Sequence, residues 1–215
     1  ITGICGSGII EVVAEMYLSG VINQDGVVDG AMADVNPRIQ PDGRTFSYEI
    51  MPATESRGAV KIMQNDIRAI QLAKAALYAG VKLLMQYQQV EKVDRIRFAG
   101  AFGSHIDVKY AMVLGLIPDC AIDEVSSAGN AAGTGARIAL LNEESRAEIE
   151  QVVRGVEKIE TAVEPDFQQL FIDAMAFPNK VDAFPELEKV VTLPPIKEVK
   201  AETETGEKKR RRRRN

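Results

Sequence analysis

RIRFAGAFGSHID, residues 95–107, opens as a near-continuous apolar strand and breaks at its end into AGAFG. A strand of that character is covered on both faces, as in a parallel sheet. A glycine turn directly after it leaves backbone bare where such sheets present their ligands. Before the strand runs the clearest helical pattern in the chain, NDIRAIQLAKAALYAGVKLLMQYQ. Asn65 or Asp66 is its cap, and Ile67, Ile70, Leu77, Val81 and Leu84 are its apolar stripe. After the turn, DVKYAMVLGL (107–116) reads as a short helix ending in IPD. Helix, strand, glycine turn, helix is the order of an α/β domain.

Further out, GSGIIEVVAEMYLSG (6–20) reads as a helix, with Ile9, Val12, Val13, Met16 and Tyr17 at three- and four-residue spacing and Gly20 as its stop. Residues 21–57 carry the turn signals QDG and PDG around TFSYEIM and read as a small irregular β-rich insertion; GAVKIMQ (58–64) is a further short strand. On the other side, VSSAGNAAGTGARIALLN gives a second Gly/Ala turn leading into a helix. EESRAEIEQVV is another helix, KIETAV a strand, and EPDFQQLFIDAMAF an amphipathic helix with Phe167, Leu170, Phe171 and Ala174 on one side.

The 215 residues, 46% hydrophobic and 27% charged, suffice for one sizeable core. No apolar run approaches the roughly 20 residues of a membrane span, and ITGIC lacks the basic start of a signal peptide. A soluble, cytoplasmic protein is expected, and a start at Ile1 reads as a piece of something longer. Two distant cysteines, Cys5 and Cys120, make neither a disulfide framework nor a self-contained metal site. One histidine, His105, argues against histidine metal clusters and Ser-His-Asp chemistry. No catalytic residue and no metal ligand is assigned. The net charge of −5 is uneven: residues 197–215 hold nine basic and four acidic side chains, which leaves the body at −10. That tail, ending in five arginines, is expected to stay disordered. Such a block can bind anions, yet no basic stripe interleaved with aromatics extends it over the body, so neither nucleic acid nor membrane is an expected partner.

AGAFG (99–103) and GNAAGTGA (129–136) each precede a helix, where free N–H groups attract anions and glycine lets a base or phosphate approach. Neither is a P-loop or a dinucleotide fingerprint, and close helix packing explains glycines equally well. GICGSG (3–8) is a third glycine-rich helix entry. Cys5 within it is either a reactive thiol at a helix start or a small hydrophobe.

GICGSGII, QNDIRAIQLAKAALYAG, FAGAFGSHIDVKYAMVLGLIPD and GNAAGTGARIALL, in this order, resemble the carboxy-terminal region of reductive activators of corrinoid proteins, over residues 1–178. The resemblance implies an RNase H-like, actin-like ATPase subdomain of the superfamily of actin, sugar kinases and heat-shock chaperones; residues 179–215 lie outside it and are expected to form an extended linker and disordered basic tail. It also implies ATP with Mg as cofactor, and a 2Fe-2S cluster in a ferredoxin domain outside this chain. ATP hydrolysis would be coupled to electron transfer from that cluster to a Co(II) corrinoid. The partner is then a corrinoid protein or a corrinoid-dependent methyltransferase, and a homodimer stays open.

Carried over by position, Gly100, Ala101 and Gly103 lie beside adenine or ribose. Gly129, Asn130, Gly133 and Gly135 shape the nucleotide cleft, and Lys74, on the helix that flanks the base, is a further contact. The superfamily's Asp-x-Gly-Thr phosphate turns have no counterpart here, nor do the four cysteines that a cluster needs. By itself the chain is expected to bind adenosine weakly and hydrolyse nothing. The alternative is a non-catalytic docking module, whose acidic face and 21–57 insertion bind the corrinoid partner while the glycine turns serve architecture.

Overall fold

The computed structural model describes residues 3–100, 103 and 105–195. Helix α1 (Gly6–Leu18) is capped by Cys5, whose Sγ accepts the Gly8 N–H at 3.4 Å. It ends at Gly20, where φ is +74° and the reversed chain donates from Gly20 N to Tyr17 O and from Ile22 N to Met16 O. Strands β1 (Ile39–Asp42) and β2 (Thr45–Met51) form a hairpin, and β3 (Val60–Ile62) pairs antiparallel with the other edge of β2. The region read as a β-rich insertion thus holds two strands, and the sheet takes its third from beyond residue 57.

Helix α2 (Gln64–Tyr87) starts one residue before the expected caps. Met63 holds the cap position, and Asp66 acts from inside the first turn, its Oδ2 accepting the Met63 N–H at 2.8 Å. The buried face also differs from the expected stripe. Ile67 is buried, but Leu77 and Leu84 are 51% and 56% exposed, while Gln71, Lys74 and Tyr78 turn inward. The donors find partners about 100 residues away: Gln71 Nε2 donates to Met175 O at 2.9 Å, and the Tyr78 hydroxyl to Asp182 at 2.8 Å, while the buried Gln71 Oε1 has no hydrogen-bond partner among the described residues. A buried polar group with a partner costs little; one without costs about 1–3 kcal/mol.

Strand β4 (Ile96–Ala99) pairs in parallel with β5 (Val125–Gly129), and α3 (Val108–Val113) lies between them in sequence. α4 (Ala131–Leu141) and α5 (Glu143–Arg154) form a helical hairpin sharing Asn142, which ends the first and caps the second by accepting the Ser145 N–H. KIETAV is not a strand: Thr161–Val163 make a 3-10 turn ahead of Pro165, and no strand among the described residues pairs with it. α6 (Phe167–Asp173) packs on α2.

The core joins Val13 and Tyr17 of α1, Ile67 and Tyr78 of α2, Met112 to Leu114 around α3, and Phe177, Phe184 and Leu187 near the chain's end. Each large apolar side chain so buried contributes about 1.5–3 kcal/mol. Residues 179–195, expected as extended linker, instead pack on this core through α7 (Pro185–Glu188). The Asp119 carboxylate accepts the N–H groups of Glu186 and Leu187 at 2.9 and 3.0 Å, and Phe184 and Leu187 are fully buried. The arginine tail and Ala101 lie outside the described residues. Among those described, no helix is long and apolar enough to cross a membrane.

Candidate functional site

The parallel register sets Ile96 opposite Val125 and, past an irregularity, Ala99 opposite Gly129. Both glycine turns therefore leave the same end of the sheet. The Gly100 N–H donates to Gly129 O at 2.8 Å, so two turns some thirty residues apart in sequence meet at their first residues. Gly100 (φ +107°) and Gly129 (φ +61°) both hold the left-handed region that favours glycine. A Cβ on either would meet nothing within 4 Å, so the space above the junction is open.

The remaining predicted residues divide. Asn130 caps α4, its Oδ1 accepting the Gly133 N–H at 2.9 Å, and a Cβ on Gly133 would fall 2.6 Å from Asn130 Nδ2. Gly133 is glycine because the cap folds over it. Gly103 is similarly tight, 2.6 Å from Phe98 Cβ, a close-packing role. Gly135, two residues beyond Gly133 along α4, lines an apolar groove with Ile138, Ile149 and Val152. Ala101 falls outside the described residues.

Lys74 stands apart from this junction. It is fully buried, its Nζ donates to the carbonyls of Ala176 and, at 2.8 Å, Pro178, and it sits 5.2 Å from the centre of the Phe177 ring. Burial pulls its amine down to about 7. The correction to the expected nucleotide contact is physical: the ammonium is used inside the core, fastening the 176–178 segment to α2.

Cys5 is exposed at the start of α1, and the Ser7 hydroxyl, with the Gly8 N–H, lowers its thiol pKa. Cys120 is buried, and burial raises its pKa. No group of three or more His, Cys, Asp or Glu among the described residues is placed to hold a metal ion.

One feature escaped the sequence reading. A half-open cavity of about 530 Å³ lies at the opposite, amino-terminal end of β4 and β5, lined by Tyr78, Lys82, Asp94, Asp119 and Asp182 among others. Asp182 accepts from Tyr78 and pairs with Lys82 at 3.1 Å, and burial followed by that carboxylate pushes the Tyr78 pKa up. These contacts span a hundred residues, and nothing local announces them.

Residues 1–188 match the sequence family described as "C-terminal domain of RACo the ASKHA domain". The corrinoid activation enzyme RamQ of Eubacterium limosum is 36% identical over 188 residues, which cover 83% of this chain and 32% of that protein. The solved structure of a reductive activator for corrinoid, iron-sulfur protein superposes with a TM-score of 0.72 at 32% identity, over 82% of this chain and 28% of its own. The chain thus spans about a third of the length of these relatives. The parallel strands, their paired glycine turns and the match over residues 1–188 agree: the chain belongs to the family of the C-terminal ASKHA domain of RACo.

Proposed function

We propose that this chain is the nucleotide-binding, carboxy-terminal portion of an ATP-dependent reductive activator of corrinoid proteins. The observation that carries the reading is the junction of Gly100 and Gly129, bonded at 2.8 Å with open space where their side chains would stand. A flat base or ribose can approach such backbone without meeting a Cβ. Gly100 and Gly129 would border the nucleoside and Asn130 would fix the adjoining helix start, with Gly103 and Gly133 shaping the turns on either side.

The chemistry bound elsewhere is delimited by the same residues. A 2Fe-2S cluster needs four cysteine ligands, and this chain has one exposed and one buried cysteine, so it does not fit here. Mg-assisted phosphoryl transfer needs metal, phosphate and water held together. No group of three or more His, Cys, Asp or Glu among the described residues is placed to hold such an ion. In this reading the chain holds the nucleoside end of ATP, and the complete activator couples hydrolysis to reduction of a Co(II) corrinoid carried by a partner protein.

The docking alternative draws on the strong acidity of the body, −10 without the tail. Calorimetric titration of the chain with ATP, and separately with a corrinoid protein, distinguishes the two. Nucleotide binding is the expected result; binding of the corrinoid protein with no response to ATP would replace this reading with the docking one.

A further inference from the structure

A groove of about 430 Å³ runs along α1 and has no part in the glycine-turn site. Val12 and Met16 of α1, Tyr48 and Ile50 of β2, and Tyr110 of α3 give it apolar walls. Glu11 and Glu15 stand along its α1 side and Ser19 closes the row. At four-residue spacing these three positions share one face of the helix, over a length of about 12 Å. The two carboxylates are differently engaged. Glu15 accepts from the Tyr110 hydroxyl, and Lys109 lies over the same ring, its Nζ 4.0 Å from the centre. The Glu11 side chain, which is exposed, has no hydrogen bond or ion pair among the described residues.

The last described residues stand at one end of this groove. Pro194 and Pro195 share a small cleft with Tyr17, Gly20 and Gln24, where α1 stops one residue past Leu18 at Ser19. The chain continues as IKEVK, residues 196–200. Two prolines favour the extended polyproline helix, which has three residues per turn and rises about 3.1 Å per residue. With that period Ile196 and Val199 fall on one edge and Lys197 and Lys200 on the next. The distance from Ile196 to Lys200 is then about 12 Å, the length of the groove.

We propose that residues 196–200 of this chain dock in the groove, entering beside Ser19 and running antiparallel to α1. Ile196 and Val199 would lie against Met16, Tyr48 and Tyr110, with Lys197 directed to Glu15 and Lys200 to Glu11. Three observations select this occupant over a partner protein. The chain already stands at the groove's end, its length matches, and its apolar and basic pattern complements apolar walls edged by two carboxylates. Exposed ion pairs are individually weak, so burial of the two β-branched side chains contributes most of the contact. Tethering makes such a modest contact sufficient, because a segment joined by so short a link meets its site at a high effective concentration. The tail expected to be disordered from residue 197 is then anchored through Lys200, and the arginine run follows from a fixed point on α1.

Hydroxyl-radical footprinting of the 215-residue chain tests this without nucleotide, so its outcome does not depend on ATP binding. Removing residues 196–215, or substituting Ile196→Asp together with Val199→Asp in the whole chain, is expected to raise labelling of Tyr48 and Tyr110 severalfold. Labelling of Tyr87, exposed on α2, should stay unchanged. Carbodiimide coupling of adjacent amines and carboxylates is expected to join Lys197 or Lys200 to Glu11 or Glu15, and the doubly substituted chain to lose that product. Equal labelling of Tyr48 and Tyr110 in all three chains would overturn the proposal. Protection that rises with protein concentration would overturn it in favour of a second copy, and protection that appears only when a corrinoid protein is added would give the groove to that partner.

Discussion

The core around α2 and the lobe of β4, β5, α4 and α5 are built to different standards. In the first, side chains are buried and the buried donors of Gln71, Lys74 and Tyr78 are partnered, down to a lysine amine held by two carbonyls. In the second, two helices of 11 and 12 residues bury nothing, and the strand ends open onto empty space at Gly100 and Gly129. The core is closed within this chain. The lobe leaves apolar side chains of α4 and α5 and the backbone of its glycine turns exposed, and a nucleotide is the occupant proposed for the turns.

Substitutions should separate the two regions sharply. The largest effect is expected at Gly115, where φ is +67° and an added Cβ would stand 1.9 Å from Pro178 O, a clash with backbone. Gly115→Ala should destabilise the protein by about 3–5 kcal/mol in chemical denaturation. A tolerated alanine there would break the picture of a tightly closed core.

Lys74→Met comes next. It keeps the apolar stem and strands the carbonyls of Ala176 and Pro178, for an expected loss of about 1–3 kcal/mol near neutral pH. The charge gives a separate signature. Burial brings the folded pKa to about 7 against 10.5, so between these values the unfolded chain holds a proton that the folded chain has released. Stability therefore rises with pH across that window, by at most about 1.4 kcal/mol per unit, and is level below about 7, where both states are protonated. The two carbonyls and the Phe177 ring favour the charged amine and reduce the slope. Denaturation midpoints measured from pH 7 to 9 should rise in the parent and lose this contribution in Lys74→Met; the same slope in both would contradict the assignment.

The smallest effect belongs to the lobe. Asn130→Ala removes the cap of α4 and should cost about 1 kcal/mol, read as faster amide exchange in the first turn of α4 with the core's exchange unchanged. If the core loosened as well, the two regions would be one cooperative unit.

The same division explains what the sequence disclosed. β4, its glycine turn, α1 and the extent of α2 were legible because local periodicity and turn chemistry determine them. The inward face of α2 was not. Leu77 and Leu84 read as core, yet Gln71, Lys74 and Tyr78 point inward because their partners at 175–182 arrive from a hundred residues away. KIETAV has β-branched residues but, among the described residues, no strand that pairs with it. The linker expected after residue 178 packs because Asp119 caps α7 from 67 residues upstream. At the candidate site, the glycine turns were visible as motifs, and their meeting through Gly100 and Gly129 follows from the parallel pairing of the strands that carry them. Lys74 carried no local mark of its burial.

The central claim, that the two turns together receive a nucleoside, is tested most directly by calorimetric titration of ATP into Gly100→Val and Gly133→Val variants of proven fold. Valine at 100 opposes a φ of +107° and fills the open space, and at 133 it displaces the Asn130 cap. Both variants are expected to lose measurable nucleotide binding. An ATP affinity equal to the parent's in both would contradict the claim.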